Sequence, residues 1–267
     1  MLAAATGLTA VVAYLAGTLV QARSLLKRTE VNATALLVFG VAGAIGHGVA
    51  NYQVIYTGTA LKLGIYTSAS LVAWIMVLFV LIARVRLPVD NLLVVALPAG
   101  ALGILCLLAA PTGNALPIAS LEDPLIWHIL ISIVAYSILF MAACHSVLLA
   151  ILEHRLKTRH GVRLMRVLPP LQTMETLLFG LLWTGIIALT LAIISGFVFL
   201  DDMFEQRVVH HTVLALSSWV LYGILLAGHR LFGWRGTTAV RWTLIAFGLL
   251  VLGYFGSKFV IEILLES

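Results

Sequence analysis

Eight apolar segments, each about as long as a bilayer is thick, follow one another along this chain with only short connections between them. They fall near residues 3–21, 33–52, 63–83, 91–110, 125–153, 176–200, 210–231 and 240–265. A membrane-spanning helix needs about 20 predominantly apolar residues, so the pattern predicts an all-α, polytopic integral membrane protein with eight transmembrane helices. The composition agrees: 62% of the 267 residues are hydrophobic and 10% are charged, against roughly 25% charged in soluble domains. That much apolar surface cannot be hidden inside a globule of this size. The longest polar stretch, Glu153 to Glu175, is too short to fold alone, so residues 1–267 are expected to form a single integral membrane domain.

Charge assigns direction. Connections 1–2, 3–4, 5–6 and 7–8 carry Arg23, Lys27 and Arg28; Arg84 and Arg86; Arg155, Lys157, Arg159, Arg163 and Arg166; and Arg230, Arg235 and Arg241. The opposite side holds Lys62 and Arg207, and Lys258 lies within span 8. By the positive-inside rule both termini are expected on the non-cytoplasmic side. The net charge of +5 therefore speaks of orientation; no basic tract interleaved with aromatics points to nucleic acid.

The opening residues lack the basic n-region of a cleaved signal peptide and are expected to form the first retained span. Leu87-Pro88 ends span 3, Pro111-Thr112-Gly113-Asn114 turns the chain after span 4, and Leu168-Pro169-Pro170 closes the basic connection. Gly40, Gly43, Gly46 and Gly48 in span 2 predict close helix contact. Cys106 and Cys144 lie in apolar runs without metal-ligand spacing and read as small buried hydrophobes.

Ionisable residues are costly in a bilayer and are candidates for function. On this topology His47 falls in the outer half of span 2. His128 opens span 5 and His210-His211 open span 7 on the outer side, while His145 and His229 lie toward the cytoplasmic end. Spans 5 and 7 each carry histidine near both ends. The 18 residues from His211 to His229 make five turns, placing both on one helix face about 27 Å apart; the 17 from His128 to His145 leave those two about 100° apart.

Two histidines on facing helices can take both axial positions of a haem iron. The macrocycle suits an apolar cleft, with its propionates at the interface near Arg207 and Lys258 outside or Arg230 and Arg235 inside. A zinc site would add carboxylate or thiolate, and the outer loop offers Asp201, Asp202 and Glu205. A lone intramembrane histidine is more often a hydrogen-bonding residue between helices than a ligand. His154 and His160 in the basic connection read as head-group contacts, and Lys258 with Glu262 as an i, i+4 ion pair.

The stretch from Trp127-His128 to Tyr136 resembles the fifth-span motif of the CcsA/HemX/YpjD group of cytochrome c assembly membrane proteins. So does Leu168-Pro-Pro-Leu-Gln-Thr-Met-Glu175, which is especially similar to the YpjD branch. The likeness continues through His210-His-Thr-Val-Leu-Ala-Leu-Ser-Ser-Trp219, Gly228-His229-Arg230, Gly233-Trp234-Arg235-Gly236 and Tyr254-Phe255-Gly256-Ser257-Lys258-Phe259. It is strongest over 125–265; before that, span 2 with His47 and Pro88-Val89-Asp90-Asn91-Leu92 fit the YpjD-like pattern.

The resemblance implies b-type haem handled at the bacterial cytoplasmic (inner) membrane, with histidines as axial ligands. His128 matches an outward-facing histidine of the pattern, and His229 its membrane histidine before the Gly-Trp-Arg-Gly turn. His210 matches the histidine opening span 7, whereas helical geometry favours His211, so both stay candidates. The tryptophan-rich segment of haem-presenting CcsA proteins is replaced by an acidic stretch between Gly196 and Trp219, and the family's last outward histidine followed by Ser-Tyr is not found before Ser267. Haem binding without ligation to an apocytochrome follows as the expectation: no enzyme, but a protein supporting cytochrome c assembly or haem export and homeostasis. The expected outer set is His128 with His210 or His211, and His47 as a further member; the inner set is His229 with His145. Haem, membrane lipid and other cytochrome-assembly or membrane proteins are the expected partners. A transporter of another solute or metal ion, and a structural partner of a membrane complex, stay open.

Overall fold

The computed structural model describes residues 2–27, 32–56, 58, 60–85, 89–109, 119–120, 125–157, 170–199 and 209–256. Its helices gather into two compact units. Eight of them are long and apolar enough to cross a membrane, as the eight apolar segments predict. The turn Pro111–Asn114, Leu168-Pro169, His160, Asp201, Asp202, Glu205, Arg207, Lys258 and Glu262 lie outside the described residues.

The first unit, within Met1–Leu121, holds α1 (Leu2–Lys27), α2 (Ala33–Ile55), α3 (Ile65–Ala83) and α4 (Leu93–Leu108). A two-residue antiparallel pair, β1 (Ala60–Leu61) with β2 (Ala119–Ser120), joins Ala60 to Ser120 and Leu61 to Ala119. Helix α1 packs on α2 and α4, and α3 packs on α4. The span-2 glycines permit this closeness: a Cβ at Gly43 would run into the Tyr14 ring, and one at Gly48 would lie 2.8 Å from Trp74. Without a hydrophobic driving force between helices in lipid, such close backbone approach is what holds them together. Arg84 at the end of α3 pairs with Asp90 at 2.9 Å, and Gln21 Nε2 of α1 donates to the Asp90 carbonyl at 2.9 Å.

The second unit, within Glu122–Thr158 and Pro170–Ser267, holds α5 (Leu125–Lys157), α6 (Leu171–Phe199), α7 (Val209–Phe232) and α8 (Thr237–Val251), the last running into a π-type turn at Leu252–Gly256. Helix α5 packs on α6 and α8, and α7 on α8 and α6. Two helices outrun their apolar segments: α5 continues through Glu153, His154 and Arg155 to Lys157, and α6 begins at Leu171 rather than 176. Hydropathy marks the hydrocarbon slab, while Glu, Gln, Lys and Arg remain good helix formers beyond it. Antiparallel neighbours put the starts of α5 and α7 at the same end of this unit, beside the end of α6.

Candidate functional site

At the start of α5, His128 faces the end of α6. Its Nδ1 lies 3.0 Å from the carbonyl oxygen of Ala192 and 3.1 Å from Ser195 Oγ. A carbonyl only accepts, so Nδ1 carries the proton and Nε2 keeps its lone pair. Ser195 reinforces the arrangement by donating its own hydroxyl to the same carbonyl at 2.9 Å. His128 Nε2 has no hydrogen-bond partner among the described residues and is not sealed from its surroundings.

His211, at the start of α7, comes within electrostatic reach of His128. Its ring meets the edge of Tyr254 with centroids 5.8 Å apart. Tyr254 in turn contacts Tyr136 at 5.6 Å, and the Tyr136 hydroxyl donates to the Leu250 carbonyl at 3.0 Å. These contacts fix the aromatic wall beside His211. His210, one residue away and therefore about 100° round the helix, is exposed. The structure thus brings His128 and His211 together and turns His210 away from them.

At the other end of the unit, His229 repeats the arrangement of His128. Its Nδ1–H donates to the carbonyl oxygen of Trp234 at 2.7 Å, and its Nε2 has no hydrogen-bond partner among the described residues. The ring stacks on Phe179 of α6, centroids 3.5 Å apart and planes 15° from parallel. Nearby, Arg230 lies over the Trp183 ring, 4.9 Å from its centroid. Trp234 is itself held by stacking on Trp242 at 5.5 Å, and its ring covers Gly228, where any Cβ would collide with it.

His145 is placed differently. It is 0% exposed, its Nε2–H donates to the Met174 carbonyl at 2.9 Å, and its Nδ1 is buried with no partner among the described residues. It shares no hydrogen-bond or ring partner with His229. His47 belongs to the first unit and is also 0% exposed. Its Nε2 meets Ser70 Oγ at 2.9 Å and its Nδ1 the Tyr14 hydroxyl at 3.4 Å, while Ser70 donates on to Asn51 Oδ1 at 2.8 Å. Both nitrogens of His47 are therefore engaged inside a polar network joining α1, α2 and α3.

Of the six histidines singled out from the sequence, His128, His211 and His229 combine a packed setting with a nitrogen that a metal centre could take; His210 has no hydrogen bond among the described residues either, but it is exposed. The pattern at His128 and His229 is the one that ligating histidines commonly show, the far N–H given to a backbone carbonyl so that the tautomer and ring orientation are fixed. Among the described residues no three His, Cys, Asp or Glu side chains cluster to hold a bare metal ion. Iron carried in a macrocycle needs only one or two protein ligands, and flat aromatic walls, here Tyr254 and Phe179, suit such a group. Sequence reading missed Ser195, Tyr254, Phe179 and the Tyr14–Ser70–Asn51 network; apart from Tyr254, which falls in a quoted motif, no local signal marks them.

The model of the family described as cytochrome C assembly protein matches residues 34–265 of this chain. The inner membrane protein YpjD of Escherichia coli strain K12 is 31% identical over 137 residues, 51% of this chain and 52% of that protein. The 28.8 kDa protein in the nifR3-like 5′ region of Azospirillum brasilense is 36% identical over 154 residues, 56% of this chain and 57% of its own length. The chain thus spans about half the length of the curated relatives it matches. No solved structure matches it.

Proposed function

Because the chain belongs to the cytochrome c assembly protein family, we propose that it is a multi-pass protein of the bacterial inner membrane that binds b-type haem through histidines at the two ends of its second helical unit. Membership of the family gives it a role in cytochrome c biogenesis; haem export or homeostasis are the forms of that role open to a haem binder without ligation chemistry. In this reading both termini lie away from the cytoplasm, as the thirteen basic residues of the alternate connections favour, and the chain binds haem without catalysing its attachment. His128, with His211 across from it, holds one haem, and His229 holds the iron at the opposite end. The haem supplies redox-active iron; the protein supplies axial nitrogens, aromatic walls and, at the His229 end, the guanidinium groups of Arg230 and Arg235 for the propionates.

One observation carries this reading. His128 and His229, on different helices at opposite ends of the unit, each give Nδ1–H to a backbone carbonyl and leave Nε2 without a hydrogen-bond partner among the described residues and not sealed from its surroundings. A histidine whose role is only to join helices commits its nitrogens to them, as His47 does. The test is the visible spectrum of the detergent-purified protein, oxidised and dithionite-reduced, from cells supplied with haem. A sharp reduced α-band of a six-coordinate b-type haem supports the reading. A colourless preparation that takes up no added haem overturns it.

A further inference from the structure

The turn that orients His229 is itself held from outside by a carboxylate. Between α7 and α8 the chain passes through Gly233-Trp234-Arg235-Gly236, with positive φ at both glycines, 68° at Gly233 and 56° at Gly236. A non-glycine residue at either would be strained. Upstream, Gly233 N–H donates to the His229 carbonyl at 3.1 Å and Trp234 N–H to the Gly228 carbonyl at 3.2 Å. These bonds, with the Trp234 ring stacked on Trp242, fix the turn only as far as the Trp234 ring and amide. The carbonyl that receives the His229 proton belongs to the next peptide plane, between Trp234 and Arg235. That plane can rotate unless the chain beyond it is tethered.

The Gly236 carbonyl is held within α8 by the Val240 N–H at 3.0 Å; the tether on its N–H side is Glu175. From the first turns of α6 its Oε1 accepts the Gly236 N–H at 3.0 Å. No side chain within α8 caps this position. Glu153 of α5 closes the other side: a Cβ at Gly236 would lie 3.2 Å from Glu153 Oε2, while Glu153 Oε1 is paired with Lys157 at 2.7 Å. An open cavity of about 570 Å³ lined by Glu153, Gln172, Glu175 and Arg235 borders the turn.

We infer that Glu175 is a positioning residue for His229: by holding Gly236 it fixes the Trp234 carbonyl that keeps the imidazole in its Nδ1–H form with Nε2 free. Its functional consequence rests on the reading of His229 as a haem ligand, but the tautomer can be read without haem. The experiment is side-chain nitrogen NMR of His229 in the full-length, haem-free protein in detergent, with the resonance assigned by its loss in H229A. Wild type is expected to show a single Nδ1–H tautomer. Glu175→Gln, whose amide oxygen still accepts from Gly236, is expected to match it, and Glu175→Ala to show mixed tautomers. Haem affinity at this end should fall by about 10-fold or more in E175A and recover in E175Q, as when an outer partner of a ligating histidine is removed. A single Nδ1–H tautomer in E175A would overturn the inference. If E175A does not fold, Glu175→Met keeps the length without the acceptor and makes the same comparison. Mixed tautomers in E175A, in a protein that binds no haem, would uphold the positioning role and reject the haem reading.

Discussion

His128 Nδ1 and the carbonyl oxygen of Ala192 lie 3.0 Å apart across the α5–α6 contact, joining residues 64 positions apart in the chain. That bond turns an apolar helix end into a ligand-ready one, because it settles which imidazole nitrogen is left unprotonated. Ser195 supports the same oxygen at 2.9 Å but is not needed to fix the tautomer. Ser195→Ala is therefore expected to bind haem with less than about a 10-fold loss of affinity, and His128→Ala to lose the haem of that end altogether. Haem titration followed by absorbance separates the two; equal losses would assign the Ser195 hydroxyl a larger part than the Ala192 carbonyl.

Adjacent histidines at the start of α7 give a sharper comparison. His211 meets the edge of Tyr254 and lies within electrostatic reach of His128, whereas His210 is exposed. His211→Ala should change the spectrum of the haem at the His128 end from six-coordinate toward five-coordinate, and His210→Ala should leave it as in wild type. Electron paramagnetic resonance of the oxidised protein reads the difference directly, as a low-spin to high-spin conversion.

His47 is expected to behave as a structural residue. Replacing it with Ala leaves the Tyr14 hydroxyl and Ser70 without their partner in a buried network, which costs about 1–3 kcal/mol by the usual price of an unmet buried polar group. The purified variant should unfold at lower denaturant concentration while its haem content per folded protein stays unchanged. Loss of haem with unaltered stability would move His47 into the binding site.

Glycine packing in the first unit makes a prediction independent of haem. Gly43→Val places methyl groups where the Tyr14 ring already sits, and overpacking of this kind costs about 1–3 kcal/mol. Gly223→Ala, at a position with nothing within 4 Å of an added Cβ, should be neutral or slightly stabilising. Thermal unfolding of the two variants in the same detergent checks the contrast.

Much of the architecture was legible in the residues, and the limits have physical causes. The eight apolar segments located the eight long helices found among the described residues because a bilayer demands a fixed apolar length. The same criterion stopped short at Lys157 and began late on α6, since helices continue into polar surroundings where hydropathy says nothing. Which histidines stand near the helix starts and ends was also readable, from their places in the apolar segments. Partner choice was not: His47 and His128 look alike in sequence, yet one finds Tyr14 and Ser70, 33 and 23 residues away, and the other a carbonyl 64 residues away. Only the His229–Trp234 bond is local, five residues long, and it lies within a Gly-Trp-Arg-Gly motif that sequence already marked. Choosing His211 over His210 needed the tertiary contact with Tyr254, which helical periodicity alone favoured but could not supply.

Haem content per protein, measured by pyridine haemochrome on wild type, His128→Ala, His229→Ala and the double variant purified side by side, tests the two-ended site most directly. Each single variant should lose the haem of its own end and keep the other, and the double variant should be colourless while still eluting as a folded protein. A double variant that retains wild-type haem content and the same reduced α-band would contradict the assignment of His128 and His229 as the iron ligands.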